Sequence, residues 1–146
     1  MAGITFTELL AIVARLAAAF ALALLLGLER TQAASKAGVR TFPLVALGAC
    51  AYLSLAKELF PGTPEAEARV VQGILTGIGF VGAGAIIKAR GHIRGLATAA
   101  GLWNAGAIGF ACAYGMLVLG LILALANLAT LHVFSLGALP RSKRRA

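Results

Sequence analysis

The sequence predicts an all-α bundle of about five membrane-spanning helices, and three observations carry that prediction. Hydrophobic residues make up 60% of the 146-residue chain and charged residues 12%, with a mean hydropathy of +0.93; a water-soluble domain of that length needs more charge to cover its surface. The apolar residues are gathered into long runs, and helices of about 20 residues suit the hydrocarbon core because every backbone group is then paired internally. Glycine occurs 18 times. It weakens a helix in water, but in lipid it lets two helix backbones approach closely.

Each span has its own boundaries. The first covers about 9–28 and closes at Glu29-Arg30. It is preceded by Glu8 and lacks a basic leader, which makes it a first span rather than a cleaved signal peptide. A polar loop, 31–40, leads to a second span over 41–56, whose Pro43 sits in the first turn, where its missing N–H costs nothing. The turn-rich acidic segment 57–65 follows, then a third span over 70–87 and a short basic segment, 88–95. The fourth span, 97–113, is short and glycine-rich, so a re-entrant segment is the alternative there. It turns at Tyr114-Gly115 into a fifth, 116–136. Residues 1–139 form the membrane domain, and 140–146 a short basic tail.

The charge distribution orients these spans. Ten of the thirteen basic residues (Arg30, Lys36, Arg40, Lys88, Arg90, Arg94, Arg141, Lys143, Arg144 and Arg145) fall after spans one, three and five. The opposite side holds Lys57 and Arg69 with four of the five acids, Glu8, Glu58, Glu65 and Glu67. The positive-inside rule then places the N-terminus outside and the C-terminus in the cytoplasm. The same distribution turns the net charge of +8 away from nucleic acid. Cys50 and Cys112 both lie in apolar runs and read as buried thiols without a disulfide or metal role.

Two glycine patterns predict close helix packing. Gly73 and Gly77 form a GxxxG pair that Gly84 continues on one face, with Gly79 and Gly82 between them. The alternative is a broken helix whose carbonyls line a solute path. Gly101, Ala105 and Gly109 make a second stripe at i, i+4 and i+8. Polar residues inside the spans are Arg15, Gln72, Trp103 and Asn104. Arg15 lies roughly 10 Å and Asn104 about 13 Å below the outer ends of their spans, so they are expected to meet in the interior; otherwise Arg15 snorkels outward as an anchor. Asn127 and His132 read as helix-contact residues. At the cytoplasmic face Glu29, Arg30, Arg40 and Arg94 are expected to converge, with Glu29 paired to Arg40 or Arg94.

An enzyme is disfavoured by inventory: the chain has no Asp, and its two His lie in different segments. No cofactor or metal is expected, since Mg²⁺ needs clustered oxygen ligands and the motif-bearing face is cationic. Anionic lipid headgroups suit that face better.

Three stretches together resemble the MgtC/SapB family of bacterial membrane proteins: Gly27-Leu28-Glu29-Arg30, Ala37-Gly38-Val39-Arg40-Thr41, and the run from Gln72 through Gly84 to Arg94-Gly95-Leu96-Ala97-Thr98-Ala99-Ala100 and Leu102-Trp103. The resemblance spans about 15–109. It implies a five-span inner-membrane protein tied to survival under low magnesium, acid or intracellular stress. Members are associated with virulence and restraint of the ATP synthase, and an old label ties them to magnesium transport. It also adds Thr41 and Thr98 to the cytoplasmic cluster of Glu29, Arg30, Arg40 and Arg94, and gives all six, with Gly38, Gly77, Gly79, Gly82, Gly84, Gly95 and Trp103, a place among the family's shared residues. Ala97 stands where a second threonine is common, and Phe42-Pro43 replaces a more polar pair. The soluble C-terminal domain of some members is not expected here. Two functions follow: a modulator that binds another membrane protein or a second copy of itself through small-residue helix faces, or a small ion or solute transporter.

Overall fold

Helix α1 begins with a reciprocal cap that is visible in the residues themselves. The Glu8 carboxylate accepts the Thr5 backbone N–H at 2.7 Å and its hydroxyl at 2.8 Å, while the Glu8 N–H donates to Thr5 Oγ1 at 3.3 Å. This satisfies donors that the first helical turn otherwise leaves orphaned. The computed structural model describes residues 5–32, 37–89 and 92–136. From its cap α1 runs over Phe6–Gln32, followed by α2 (Thr41–Leu59), α3 (Pro64–Ala85), β1 (Ile87–Ala89), β2 (His92–Arg94), α4 (Leu96–Ala113) and α5 (Leu117–Leu136).

Four helices, α1 to α4, are long and apolar enough to cross a membrane by length and composition. Helix α5 has 20 residues, about 30 Å at the usual rise, with its apolar stretch assigned over Leu117–His132. The all-α bundle expected from the sequence is therefore present, and α4 is one continuous 18-residue helix. Helix α3 starts earlier than expected, at Pro64. Proline at the first helical position lacks only an N–H that would be orphaned anyway, and Glu65 and Glu67 favour the positive end of the helix dipole. The basic segment after it is an antiparallel hairpin, with Ile87 opposite Arg94, Lys88 opposite Ile93 and Ala89 opposite His92. Lys36, Arg90 and the 140–146 tail lie outside the described residues.

Helix α4 is the hub. It packs on α1, α2, α3 and α5, most extensively on α2, whereas α2 and α3 touch each other little. Its buried Leu102, Ala105, Ile108 and Cys112 meet Leu26 of α1 and Phe42, Ala46, Cys50 and Leu53 of α2 in one core. Cys50 and Cys112 are free and buried. Elsewhere large apolar side chains face outward, Phe80 at 82% and Val118 at 73% exposure, as expected where lipid is the solvent.

Contacts sort the helix ends into two groups. Phe42 at the start of α2, Gly101 near the start of α4 and Asn127 in α5 meet at one level. At the other end Arg15 reaches Ala113, and Tyr114 reaches Glu67. Arg30, Arg40, Lys88 and Arg94 thus share a basic end, opposite an acidic end that carries Glu58, Glu65 and Glu67.

Candidate functional site

The motif stretches 27–30 and 37–41 meet as a backbone clasp at the basic end. A Cβ on Gly27 would sit 2.9 Å from Val39 Cα and 3.0 Å from the Gly38 carbonyl oxygen, and one on Gly38 would run into the Thr31 hydroxyl. Only glycine permits this approach. Thr31 Oγ1 fills the corner, donating to the Gly27 carbonyl at 2.9 Å and accepting the Val39 N–H at 3.1 Å. The Gly38 carbonyl then accepts the Thr41 and Phe42 N–H groups at 3.0 and 3.2 Å, starting α2. Gly38 and Thr31 were not singled out as packing residues from spacing. They lie in different segments, so no helical period links them.

The expected convergence of Glu29 with Arg40 and Arg94 is not found. Glu29 instead binds its neighbour Arg30 through both carboxylate oxygens, to Nε and Nη2. Arg30 is buried at 8% exposure, and a guanidinium removed from water needs a carboxylate close by. The adjacent side chain supplies one with no long loop to order. Arg40 and Arg94 are exposed, Thr41 is half-buried, and Thr98 is buried in the first turn of α4.

The glycine prediction divides. On α4, packing is tight: a Cβ on Gly109 would strike the Ala46 carbonyl oxygen and come 2.8 Å from Ala49 Cβ, and one on Gly101 would come 3.0 Å from the Phe42 ring. Gly82 faces Ala99 across 3.5–3.8 Å. By contrast Gly73, Gly77, Gly79 and Gly84 have open space where a Cβ would point, so they do not form a helix crossing within the chain. The helix is unbroken there. The face that α3 gives to α4 carries Ile78 and Gly82, and the Ile78 side chain fills the notch at Gly106. The GxxxG pair lies to one side of that face. Periodicity identified a stripe but not which side of the helix meets protein.

Arg15 and Asn104 do not meet as expected. Arg15 Nη1 donates to the Ala113 carbonyl at 3.3 Å. Side chains on a helix lean toward its N-terminus, which lifts the guanidinium outward to the last turn of α4. There the carbonyl ends carry partial negative charge. Asn104 lies nine residues earlier in α4, about 13 Å away along the axis. Gln72 and Trp103 are exposed and Asn104 half-buried, so these four do not line an enclosed path. Asn127 is buried at 8% exposure, with its amide nitrogen unpartnered among the described residues.

At the acidic end, Tyr114 donates its phenol hydrogen to Glu67 at 2.9 Å, and Lys57 Nζ lies 4.6 Å from the centre of the same ring. One residue of the α4–α5 turn thereby ties down the end of α2 and the start of α3. The hydrogen bond to the Glu67 carboxylate, followed by burial and its negative charge, pushes the Tyr114 phenol above its ordinary value. Among the described residues, no group of three or more His, Cys, Asp or Glu side chains is placed to hold a metal.

The chain has relatives among known proteins. The model of the MgtC family matches residues 16–137. Protein MgtC of Brucella abortus (strain 2308) is 40% identical over 126 residues, covering 86% of this chain and 50% of the relative. Protein MgtC of Salmonella typhimurium (strain 14028s) is 41% identical over 100 residues, covering 68% of this chain and 42% of the relative. The chain thus spans about half the length of the curated relatives it matches. No solved structure matches it. A family model extending from the first helix through the last, over the clasp and hub just described, shows that the chain belongs to the MgtC family.

Proposed function

We propose that this chain is a modulator that docks on a helix of another membrane protein of the bacterial inner membrane, acting in adaptation to low magnesium, acid or intracellular stress. One observation carries the reading. A cavity of about 490 Å³ opens between α2 and α3, lined by Leu44, Gly48 and Tyr52 on one side and Gly73, Ile74 and Gly77 on the other. Gly48, Gly73 and Gly77 all have open space at their Cβ positions. Two helices that each present glycine to the same gap expose backbone, and in lipid such surfaces associate by close packing of a further helix. Phe80, at 82% exposure, falls on the same face as Gly73 and Gly77 one turn further on. The basic end faces the cytoplasm, where anionic lipid headgroups provide its counter-charge.

Photo-crosslinking tests this reading. A photoreactive residue at Gly77 is expected to trap one membrane protein in cells, while one at exposed Val118 on α5 traps only lipid. A Gly73→Leu substitution should abolish the adduct without lowering stability in detergent. Adducts with lipid alone from Gly77 would refute helix docking, and flux of a solute through the purified protein in vesicles would establish the transporter instead.

A further inference from the structure

The β1–β2 hairpin leaves the helical bundle at the basic end, and its base is fixed. Gly95 adopts φ +90°, and a Cβ there would run into the Ala85 carbonyl oxygen and lie 3.3 Å from Ile86 Cα. The end of α3 and the start of α4 are therefore locked backbone to backbone, and the hairpin projects at a set angle. Each strand has three residues, about 10 Å of chain, beside the ends of the two helices. A two-stranded ribbon of this size is not stable in water alone, and the helices cover it little.

Its surface is unusual for a connection. Ile86, Ile87, Ile93 and Leu96 are 39%, 44%, 58% and 59% exposed, and Lys88 and Arg94 are exposed among them. Opposite residues in the register share a face, so Ile87 lies with Arg94 and Lys88 with Ile93. Each face therefore combines a branched apolar side chain with a cation. Among the described residues no acid is paired with Lys88 or Arg94, and Glu29, the acid at this end, is held by Arg30.

We infer that the hairpin is an anionic-phospholipid site: Ile87 and Ile93 seat at the acyl boundary while Lys88 and Arg94 bind headgroup phosphate oxygens of the leaflet in which α3 ends. This rests on the assignment of the basic end to an anionic membrane surface, and it is independent of helix docking at α2 and α3. Adjacent isoleucine and cation side chains match a boundary where hydrocarbon and phosphate are neighbours.

The test uses the full chain in nanodiscs of phosphatidylcholine, titrated with phosphatidylglycerol or phosphatidylcholine and read by native mass spectrometry. Wild type should prefer phosphatidylglycerol, and Lys88→Gln with Arg94→Gln should weaken that preference by on the order of 30-fold, roughly fivefold per cation. Lys57→Gln at the opposite end should leave it unchanged. High salt should weaken the wild-type preference without removing the contribution of the isoleucines, which Ile93→Ser removes separately. No preference in wild type would overturn the assignment of the basic end itself. A preference that survives the double substitution would overturn the hairpin site alone. A photoreactive residue at Ile93 that crosslinks to protein rather than lipid would show the ribbon to be a strand-pairing surface and also overturn the proposal.

Discussion

Gly109 and Gly77 are both glycines within membrane-crossing helices, yet the structure gives a methyl group opposite consequences at the two positions. In Gly109→Ala the new Cβ meets the Ala46 carbonyl oxygen, and lies 3.1 Å from its carbon and 2.8 Å from Ala49 Cβ. Carbon atoms in contact settle at about 3.5–4.0 Å, so α2 and α4 must part by roughly 1 Å. A gap of that size forfeits a quarter to a half of the dispersion attraction of each affected atom pair. Because backbone on α2 cannot swing aside, the cost falls near the upper end of the roughly 1–3 kcal/mol seen for overpacking. Alanine gains at most about 1 kcal/mol over glycine as a helix former. The expected net loss is therefore about 2 kcal/mol. In Gly77→Ala the propensity term stands alone, and stability should hold or rise. Reversible unfolding in mixed micelles, followed by circular dichroism, measures both. Adding Ala49→Gly to Gly109→Ala removes the methyl–methyl contact but not the carbonyl contact, so it should restore part of the loss. A Gly109→Ala protein as stable as wild type, or a Gly77→Ala protein less stable than it, would refute the assignment of the packed and open faces.

Two further outcomes follow from ionic contacts. Glu29→Gln leaves the buried Arg30 without its carboxylate and should cost about 3 kcal/mol or more. Arg30→Met in the same chain should recover much of that, whereas Arg40→Gln should add independently in a double-mutant cycle; coupling to Arg40 instead of Arg30 would restore the convergence expected from the sequence. The Tyr114 phenol has a folded-state value above its ordinary one of about 10. The folded protein therefore binds the proton more tightly, so this stabilisation is fully present below pH 10 and is lost as pH rises through the folded value. Tyr114→Phe should flatten the decline in unfolding midpoint as pH rises above 10, and an unchanged decline would show that the bond to Glu67 does not contribute.

The spans were legible because length and hydropathy are local properties that the bilayer reads residue by residue. The GxxxG face was misjudged for a related reason. Lipid and protein interior are equally apolar, so the period of a small-residue stripe cannot tell which of them lies opposite. Arg15 reaches the Ala113 carbonyl rather than Asn104, because a backbone depth ignores the lean of a long side chain toward the N-terminus. At the basic end Glu29 pairs with Arg30 rather than with Arg40 or Arg94, and no spacing rule weighs an adjacent partner against one brought by a distant loop. The Gly27–Gly38 clasp lay in the quoted motifs, yet its meaning appears only when two segments meet.

The central position of α4 also orders the events of synthesis. Chains emerge N-terminus first, so α1, α2 and α3 enter the bilayer before the helix against which all three pack. Helices α1 and α2 can pack on each other at once, whereas α3 touches α2 little and has no larger partner before α4. The third span therefore waits beside that pair in lipid until α4 follows the hairpin and joins it to them. Closure of the bundle thus awaits the fourth helix, and a chain stalled before residue 96 would hold an α1–α2 pair with a third span not yet joined to it.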